Sequence, residues 1–230
     1  PLVEAEYSPT GVMSLSFSRV RQQEPMLSQA PTKTLALNDV QLGTTLGIGS
    51  LGKVYLGLVK ETGRSVAVRE MWPEDAAEDK MKKMKEELET LRLLSHPRIV
   101  ACFGIDETSR PGCAYVFYEY MPGGTIASVL EMYGPLHSSL IRQYGAHMVD
   151  ALEYLHSNNI LHRDIKGSNV LVGADCHVKL SDFGRAKMTA ALAMTVAGSV
   201  PWMAPEVMMS SGYDSSADVW SLGCTFIEMS

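Results

Sequence analysis

With 230 residues, 46% of them hydrophobic and 20% charged, the chain can bury a core as one domain or as two small lobes. Its formal charge of −6 excludes the basic face that binding to a phosphate backbone needs, so no nucleic acid partner is expected. No apolar run nears the roughly 20 residues of a membrane helix, and Cys102, Cys113, Cys176 and Cys224 lack Cys-x-x-Cys spacing, which predicts no membrane partner and a reduced, cytoplasmic compartment.

Residues 1–38 are rich in Ser, Pro, Gln and Thr without a sustained period of 2 or 3.6, a pattern that predicts a disordered linker or tail. Folding is expected from residue 39, where a strand from Val40 to Leu46 runs into Gly47-Ile48-Gly49-Ser50-Leu51-Gly52-Lys53-Val54. A Walker A loop needs Ser or Thr after Gly52-Lys53, and Val54 stands there. A dinucleotide fingerprint needs a helix to follow, whereas Val54 to Val59 reads as a strand. Two readings of this strand, glycine turn and strand stay open: a flap whose backbone amides cover nucleotide phosphates, and a glycine-rich hairpin with no ligand.

After a turn at Glu61-Thr62-Gly63-Arg64, Ser65 to Glu70 forms a third strand carrying Arg69. Pro73-Glu74-Asp75 opens a helix whose buried face is marked by Met81, Met84, Leu88, Leu91 and Leu94. Ile99 to Phe103 and Ala114 to Tyr118 read as two further strands, and Glu119 to Gly124 breaks the pattern before a helix starts at Thr125. Leu140, Ile141, Tyr144, Met148, Leu152 and Leu155 mark a long amphipathic helix that ends at Ser157-Asn158-Asn159. Val170 to Val172, a turn at Gly173-Ala174-Asp175 and Val178 to Leu180 form two strands that bring Asn169 and Asp182 side by side. Asp214 to Ser230 reads as an almost wholly apolar, hence buried, helix that contains Asp218.

His162-Arg163-Asp164-Ile165-Lys166-Gly167-Ser168-Asn169 places a carboxylate, an ammonium and an amide within six residues, the parts a phosphoryl transfer requires. An amide oxygen from Asn169 beside the Asp182 carboxylate suits Mg2+, a hard cation that takes oxygen ligands and keeps some water. With Asp182-Phe183-Gly184 and Ala204-Pro205-Glu206 following in order, residues 40–230 resemble the eukaryotic protein kinases. Lys166 resembles the Ser/Thr type. Glu119 to Ile126 and Gly198 to Glu206 resemble the mitogen-activated protein kinase kinase kinases.

The resemblance implies an α+β, two-lobed fold: an N-lobe (39–118) with a five-stranded antiparallel sheet and one helix, a hinge at 119–124, and a partial, mainly helical C-lobe (125–230). It implies ATP and Mg2+ as cofactors and a protein substrate with a Ser or Thr hydroxyl. Asp164 would orient the hydroxyl and take its proton, Lys166 would steady the transferring phosphate, and Asn169 and Asp182 would hold the metal. Leu46, Gly47, Ile48, Gly49, Ser50, Leu51, Gly52, Lys53, Val54, Ala67, Leu171 and the backbone of Glu119 and Met121 would surround the nucleotide, with Tyr118 at the back of the pocket. Arg69 stands at the position of the family's strand lysine and would pair with Glu87. Lys53 has two readings, a replacement cation or a solvated strand residue. Thr189 and Thr195 are candidate acceptors for an upstream kinase, their phosphate pairing with Arg163.

Arginine at a lysine site is not conservative, so a pseudokinase that binds nucleotide or partners without efficient turnover is the alternative. An unrelated nucleotide-binding protein is a third reading. The family's pattern continues past the last apolar helix, so the resemblance also implies a C-terminally truncated domain, prone to association and poorly active alone.

Overall fold

The computed structural model of the chain describes residues 3–7, 13–17, 34–49, 52–72, 94–110, 112–183, 186–188, 198–209 and 213–230. It divides into two units, Pro1–Thr32 and Lys33–Ser230. In the first unit β1 (Val3–Tyr7) and β2 (Met13–Phe17) pair antiparallel, with Val3 opposite Phe17, Ala5 opposite Leu15 and Tyr7 opposite Met13. VEAEY and MSLSF each alternate apolar and polar residues in sequence over five positions, the period of a strand, within the stretch expected to be a disordered linker or tail.

The second unit starts before residue 39. Leu35 is buried and its backbone N–H donates to the Phe103 carbonyl at 3.0 Å. Gly104 permits this approach, because a Cβ there would lie 2.3 Å from the Leu35 carbonyl oxygen. Asp106 fixes the same segment by accepting the Leu37 N–H at 3.0 Å, together with the N–H and hydroxyl groups of Thr108 and Ser109. Burial pushes the Asp106 carboxyl up, but these donors outweigh it and hold the group well below the usual carboxylate range. A depressed folded-state pKa contributes stability that is full above the unfolded value near 3.9 and is lost progressively as pH falls from there through the lower folded-state value. Acid unfolding followed by circular dichroism should therefore show a shallower loss of stability below about pH 4 in Asp106→Asn than in the parent chain.

The N-lobe sheet consists of β3 (Val40–Gly49), β4 (Gly52–Val59), β5 (Ser65–Met71), β6 (Cys102–Asp106) and β7 (Ala114–Glu119), antiparallel throughout in the order β3-β4-β5-β7-β6. Val66, Val68, Phe103, Tyr115 and Phe117 pack one side of it with Leu35, Val40 and Val59. The fourth strand of this sheet was expected over Ile99 to Phe103 and lies three residues later. Ile99 forms a parallel bridge to Leu180 instead, the Val100 N–H donates to the Leu180 carbonyl at 2.9 Å, and the Leu180 N–H donates to the Arg98 carbonyl at 2.9 Å. The apolar run is thus shared between two lobes. The expected helix carrying Glu87, and the loop residues Ser50 and Leu51, lie outside the described residues.

The C-lobe begins with α1 (Ile126–Tyr133), whose N-cap Thr125 accepts the Ser128 N–H at 3.0 Å while Ser128 Oγ accepts the Thr125 N–H at 3.0 Å. Next come α2 (Ser138–Ser157), β8 (Ile160–Leu161), β9 (Val170–Val172), β10 (Val178–Leu180), β11 (Lys187–Met188), the single turn α3 (Pro205–Met208) and α4 (Ser215–Met229). Tyr144, Met148, Leu152 and Leu155 give α2 one apolar stripe, packed with Val170, Val178, Leu180, Phe183 and Leu222. The expectation that α4 is buried all round is corrected. Only the side bearing Ala217, Asp218, Ser221, Leu222, Thr225 and Met229 is covered, while Val219, Trp220 and Ile227 are 58%, 48% and 76% exposed. None of the described helices is long and apolar enough to cross a membrane.

Candidate active site

The register of β9 and β10 sets the chemistry. Val170 lies opposite Leu180, and Asn169 continues the ladder by accepting the Ser181 N–H at 2.9 Å and the Ser181 hydroxyl at 3.0 Å. Asp182 is the next residue, so Asn169 and Asp182 arrive together as the two-strand reading predicts. Asp182 adopts φ 59°, in the left-handed region that costs an L-residue about 1–3 kcal/mol unless its surroundings hold it there. Its Oδ1 is bonded to Arg69 Nη1 at 3.2 Å, a contact that joins β5 to the C-lobe. Arg69 is 8% exposed, whereas the Asp182 side chain is 46% exposed and open on its other side.

The catalytic-loop side chains form one network. Asn169 Nδ2 donates to the Asp164 carbonyl at 2.7 Å and to Asp164 Oδ2 at 3.0 Å. Lys166 Nζ lies 3.0 Å from Asp164 Oδ2 and donates to Ser199 Oγ at 2.6 Å, and Ser199 in turn donates to Asp164 Oδ1 at 2.9 Å. Asn169 spends its amide hydrogens on Asp164, which leaves Oδ1, a neutral oxygen, as the acceptor it has to offer. That donor set fits a hard divalent cation completed by phosphate oxygens and water. Asn169 and Asp182 are the residues that would hold it.

The loop's backbone is set from beneath. His162 is fully buried; its Nδ1 accepts the Asp164 N–H at 3.3 Å and its Nε2 lies 3.1 Å from the Ser181 carbonyl, so Nε2 carries the hydrogen. Its ring meets Phe183 edge-on at 5.0 Å. Arg163 has φ 68°, and the bonds that hold this turn end on Asp218. Asp218 Oδ2 accepts the His162 N–H and His156 Nε2, each at 2.9 Å; Oδ1 accepts the Arg163 N–H and the Tyr213 hydroxyl, each at 2.9 Å. Burial pushes this carboxyl up, yet His156 and the loop N–H groups bring it below its ordinary value, so the group is ionised. Burial, then the Asp218 charge, pushes the Tyr213 phenol far up, which keeps it a donor.

In the N-lobe, cross-strand partners share a sheet face. Val54 opposes Arg69, and Leu56 opposes Ala67, which opposes Tyr118, so Val54, Ala67 and Tyr118 stand on the Arg69 face. Lys53 opposes Glu70 on the other face and sits 5.9 Å over the Trp72 ring. This placement favours the second of its two readings, a strand residue, on the face opposite Arg69. Leu46, 45% exposed, falls at the register break between Thr45 and Gly47. Gly47 and Gly52 are glycines for different reasons. A Cβ on Gly52 would strike the Glu70 carbonyl at 1.7 Å, so strand packing demands that glycine. A Cβ on Gly47 would meet none of the described atoms within 4 Å, so packing among them does not demand that glycine. Leu171 alternates with buried Val170 and Val172 and is half-buried on the opposite face of its strand.

At the hinge the Glu119 carboxylate is held by Lys179 Nζ at 2.7 and 2.9 Å, and its backbone N–H donates to the Ala101 carbonyl at 2.9 Å. Met121 is buried, and the chain turns at Gly124, which has φ 72°. Gly184, Thr189 and Thr195 lie outside the described residues, as does Glu87, so the Arg69–Glu87 pairing is not described. Residues that sequence reasoning did not single out are His156, Tyr213, Lys179 and Glu228. Glu228 carried a signal, since it stands ten residues after Asp218 and shares its helix face.

A model of the protein kinase domain matches residues 40–230. The chain is 40% identical over 201 residues to the mitogen-activated protein kinase kinase kinase ANP1 of Arabidopsis thaliana, covering 81% of this chain and 29% of that protein. It is 39% identical over 196 residues to mitogen-activated protein kinase kinase kinase 3 of Homo sapiens (81% and 31%) and 41% identical over 199 residues to mitogen-activated protein kinase kinase kinase A of Dictyostelium discoideum (82% and 21%). The chain thus spans under a third of the length of these three relatives.

Proposed function

The chain belongs to the protein kinase domain family, and from that premise we propose that it transfers the γ-phosphoryl group of ATP to Ser or Thr hydroxyls of a protein substrate in a signalling cascade. The observation that carries this reading is the closed network of Asp164, Lys166, Asn169 and Ser199, set one ladder step from Asp182. In the reaction, the substrate hydroxyl oxygen bonds to the γ-phosphorus as the bond to the bridging oxygen breaks and ADP leaves. Asp164 accepts the hydroxyl proton. Lys166 neutralises charge on the transferring group, and Ser199 fixes both side chains at hydrogen-bond distance. Arg69 offers its guanidinium on the Asp182 side of the cleft. Mg2+, which protein kinases use with ATP, would supply charge neutralisation at the phosphates when held by Asn169 and Asp182.

Arg69 is also the observation that favours the second reading, a pseudokinase. Arginine keeps the charge of lysine but is longer, planar and differently hydrated. Transfer of label from γ-32P ATP to dephosphorylated casein tests both readings. We expect measurable transfer, and a gain of about tenfold in kcat/KM in Arg69→Lys, equal to about 1.4 kcal/mol of transition-state stabilisation. Transfer without a gain would mean that the site has adapted to arginine. No transfer from either form would select the pseudokinase.

An upstream kinase acting on Thr189 or Thr195 belongs to the same proposal. Arg163 directly precedes Asp164, and its guanidinium carbon lies 5.1 Å over the Tyr213 ring, so a phosphate drawn to it would act on the loop that carries the base. Comparing the casein rate before and after phosphatase treatment checks this: equal rates would remove the switch. A cytoplasmic location completes the proposal, supported by four cysteines that are all free thiols; fractionation of expressing cells tests it.

A further inference from the structure

On the face of the N-lobe sheet opposite Arg69, residues 35–39 run from one edge strand to the other. At one end the Leu35 N–H is bonded to Phe103 of β6, and at the other the segment continues into Val40 and β3. Leu35 and Val40 pack with Val66, Val68, Phe103 and Phe117, and Leu37 is partly buried against the same cluster. Asp39 Oδ2 accepts the Ala36 N–H at 3.0 Å, and the Asp39 carbonyl accepts the Lys60 N–H at 2.9 Å. The middle of the segment is tied to β6 by the Leu37 N–H, which donates to Asp106 Oδ2 at 3.0 Å. Strand β3 has little else to hold it. Val40 is buried but residues 41–48 are exposed, the strand is paired on one side only, and its register with β4 breaks between Leu42 and Thr45 and again between Thr45 and Gly47. Its far end is the glycine turn.

We propose that residues 35–39 are a strap that steadies the strand leading into the glycine turn, and that Asp106 is the positioning residue that fastens it; this rests on the kinase reading above and concerns its nucleotide side. Asp106 belongs to the edge strand farthest from β3, so it acts through the backbone it holds. Fastened at Leu37, the strap keeps Val40 on the apolar cluster and the whole edge strand follows from that one buried end. Unfastened, β3 opens more often, because an edge strand with few buried groups is a low-stability unit. The turn carrying Gly47 and Gly49 is then in place over the phosphates for less of the time. Asp164, Lys166 and Asn169 are bonded to one another within the C-lobe and keep their arrangement, so the loss falls on ATP rather than on the transfer step.

The test uses the full chain with Asp106→Ala, Leu37→Pro, the two combined, and the Thr108→Ala, Ser109→Ala pair, read by binding of a fluorescent ATP analogue, casein kinetics and hydrogen exchange of the β3 and β10 amides. Leu37→Pro deletes the strap's donor alone: it opens a 3-10 turn and follows Ala36 at φ −124°, ψ 167°, a place where proline fits. Each of the first two variants should weaken nucleotide binding and raise KM for ATP about fivefold, leave kcat for casein within about twofold, and speed exchange in β3 about tenfold more than in β10. The combination should bind nucleotide no worse than Asp106→Ala alone, since both changes delete the same bond. The Thr108→Ala, Ser109→Ala pair removes two other donors to Asp106 and keeps the bond to Leu37, so it should bind nucleotide within about twofold of the parent. Equal acceleration of exchange in β3 and β10, a loss confined to kcat, or a Thr108→Ala, Ser109→Ala pair as weak as Asp106→Ala would overturn the proposal. If the parent chain bound no nucleotide, the kinase reading would fail separately; faster β3 exchange in Asp106→Ala would then sustain the strap, and unchanged exchange would sink it.

Discussion

Replacing Asp218 by Ala should cost about 4 kcal/mol of stability and lower Tm by on the order of 10 °C, the largest loss expected from any one side chain in the C-lobe. Its two oxygens receive four donors, two of them backbone N–H groups of the catalytic loop. Alanine leaves those donors buried without an acceptor, and each buried unsatisfied group costs about 1–3 kcal/mol. The same bonds hold Arg163 at positive φ, so the loop should relax and transfer should fall with stability. Because the folded-state pKa of Asp218 is depressed, its share of stability is kept above the unfolded value near 3.9 and lost as pH falls below it. Differential scanning calorimetry of Asp218→Ala and Asp218→Asn checks this. Asparagine keeps the shape but turns an amide toward donors, so it should recover only part of the loss; a Tm within about 2 °C of the parent for both would show that the loop is held by something else.

What the amino-acid order reveals depends on how far apart the interacting groups are. Asn169 and Asp182 are joined by two three-residue strands and a tight turn, so their meeting follows from counting along the chain. The cleft face of the N-lobe sheet follows in the same way, because alternation puts Val54, Ala67 and Arg69 on one side and Lys53 on the other. The start of β6 does not follow. Ile99 and Val100 are as suited to a strand as Phe103, and what removes them from the sheet is backbone pairing to Leu180, some eighty positions on. Asp218 is readable as a buried carboxylate that must find donors, but its partners His156 and Tyr213 are not, since His156 is 62 residues away and no pattern links them. The Lys179–Glu119 pair, 60 residues apart, is hidden for the same reason. Short alternating runs such as VEAEY are seen only when a register sets them against a partner. The exposure of Trp220 and Ile227 is the converse case, since apolar composition alone does not say which faces of a helix find something to cover them.

Asp164→Asn and Asp182→Ala should each abolish about a thousandfold or more of phosphoryl transfer, and they should do so by different routes. Asp164 is held from three sides by Asn169, Lys166 and Ser199. Asparagine there keeps the size of the side chain but removes the charge and the proton acceptor, so kcat should collapse while nucleotide affinity stays within about threefold of the parent. Asp182 is bonded instead to Arg69, and its side chain is 46% exposed. Alanine there deletes one of two oxygen ligands offered to the metal and leaves the buried Arg69 guanidinium without that counter-charge, a loss felt on binding as well as on rate. Fluorescent nucleotide binding with and without Mg2+ separates the two: Mg2+ should strengthen binding in Asp164→Asn as in the parent, and should add little in Asp182→Ala. If Mg2+ strengthened binding equally in both variants, Asp182 would not be a metal ligand and the division of labour between the two carboxylates would fall.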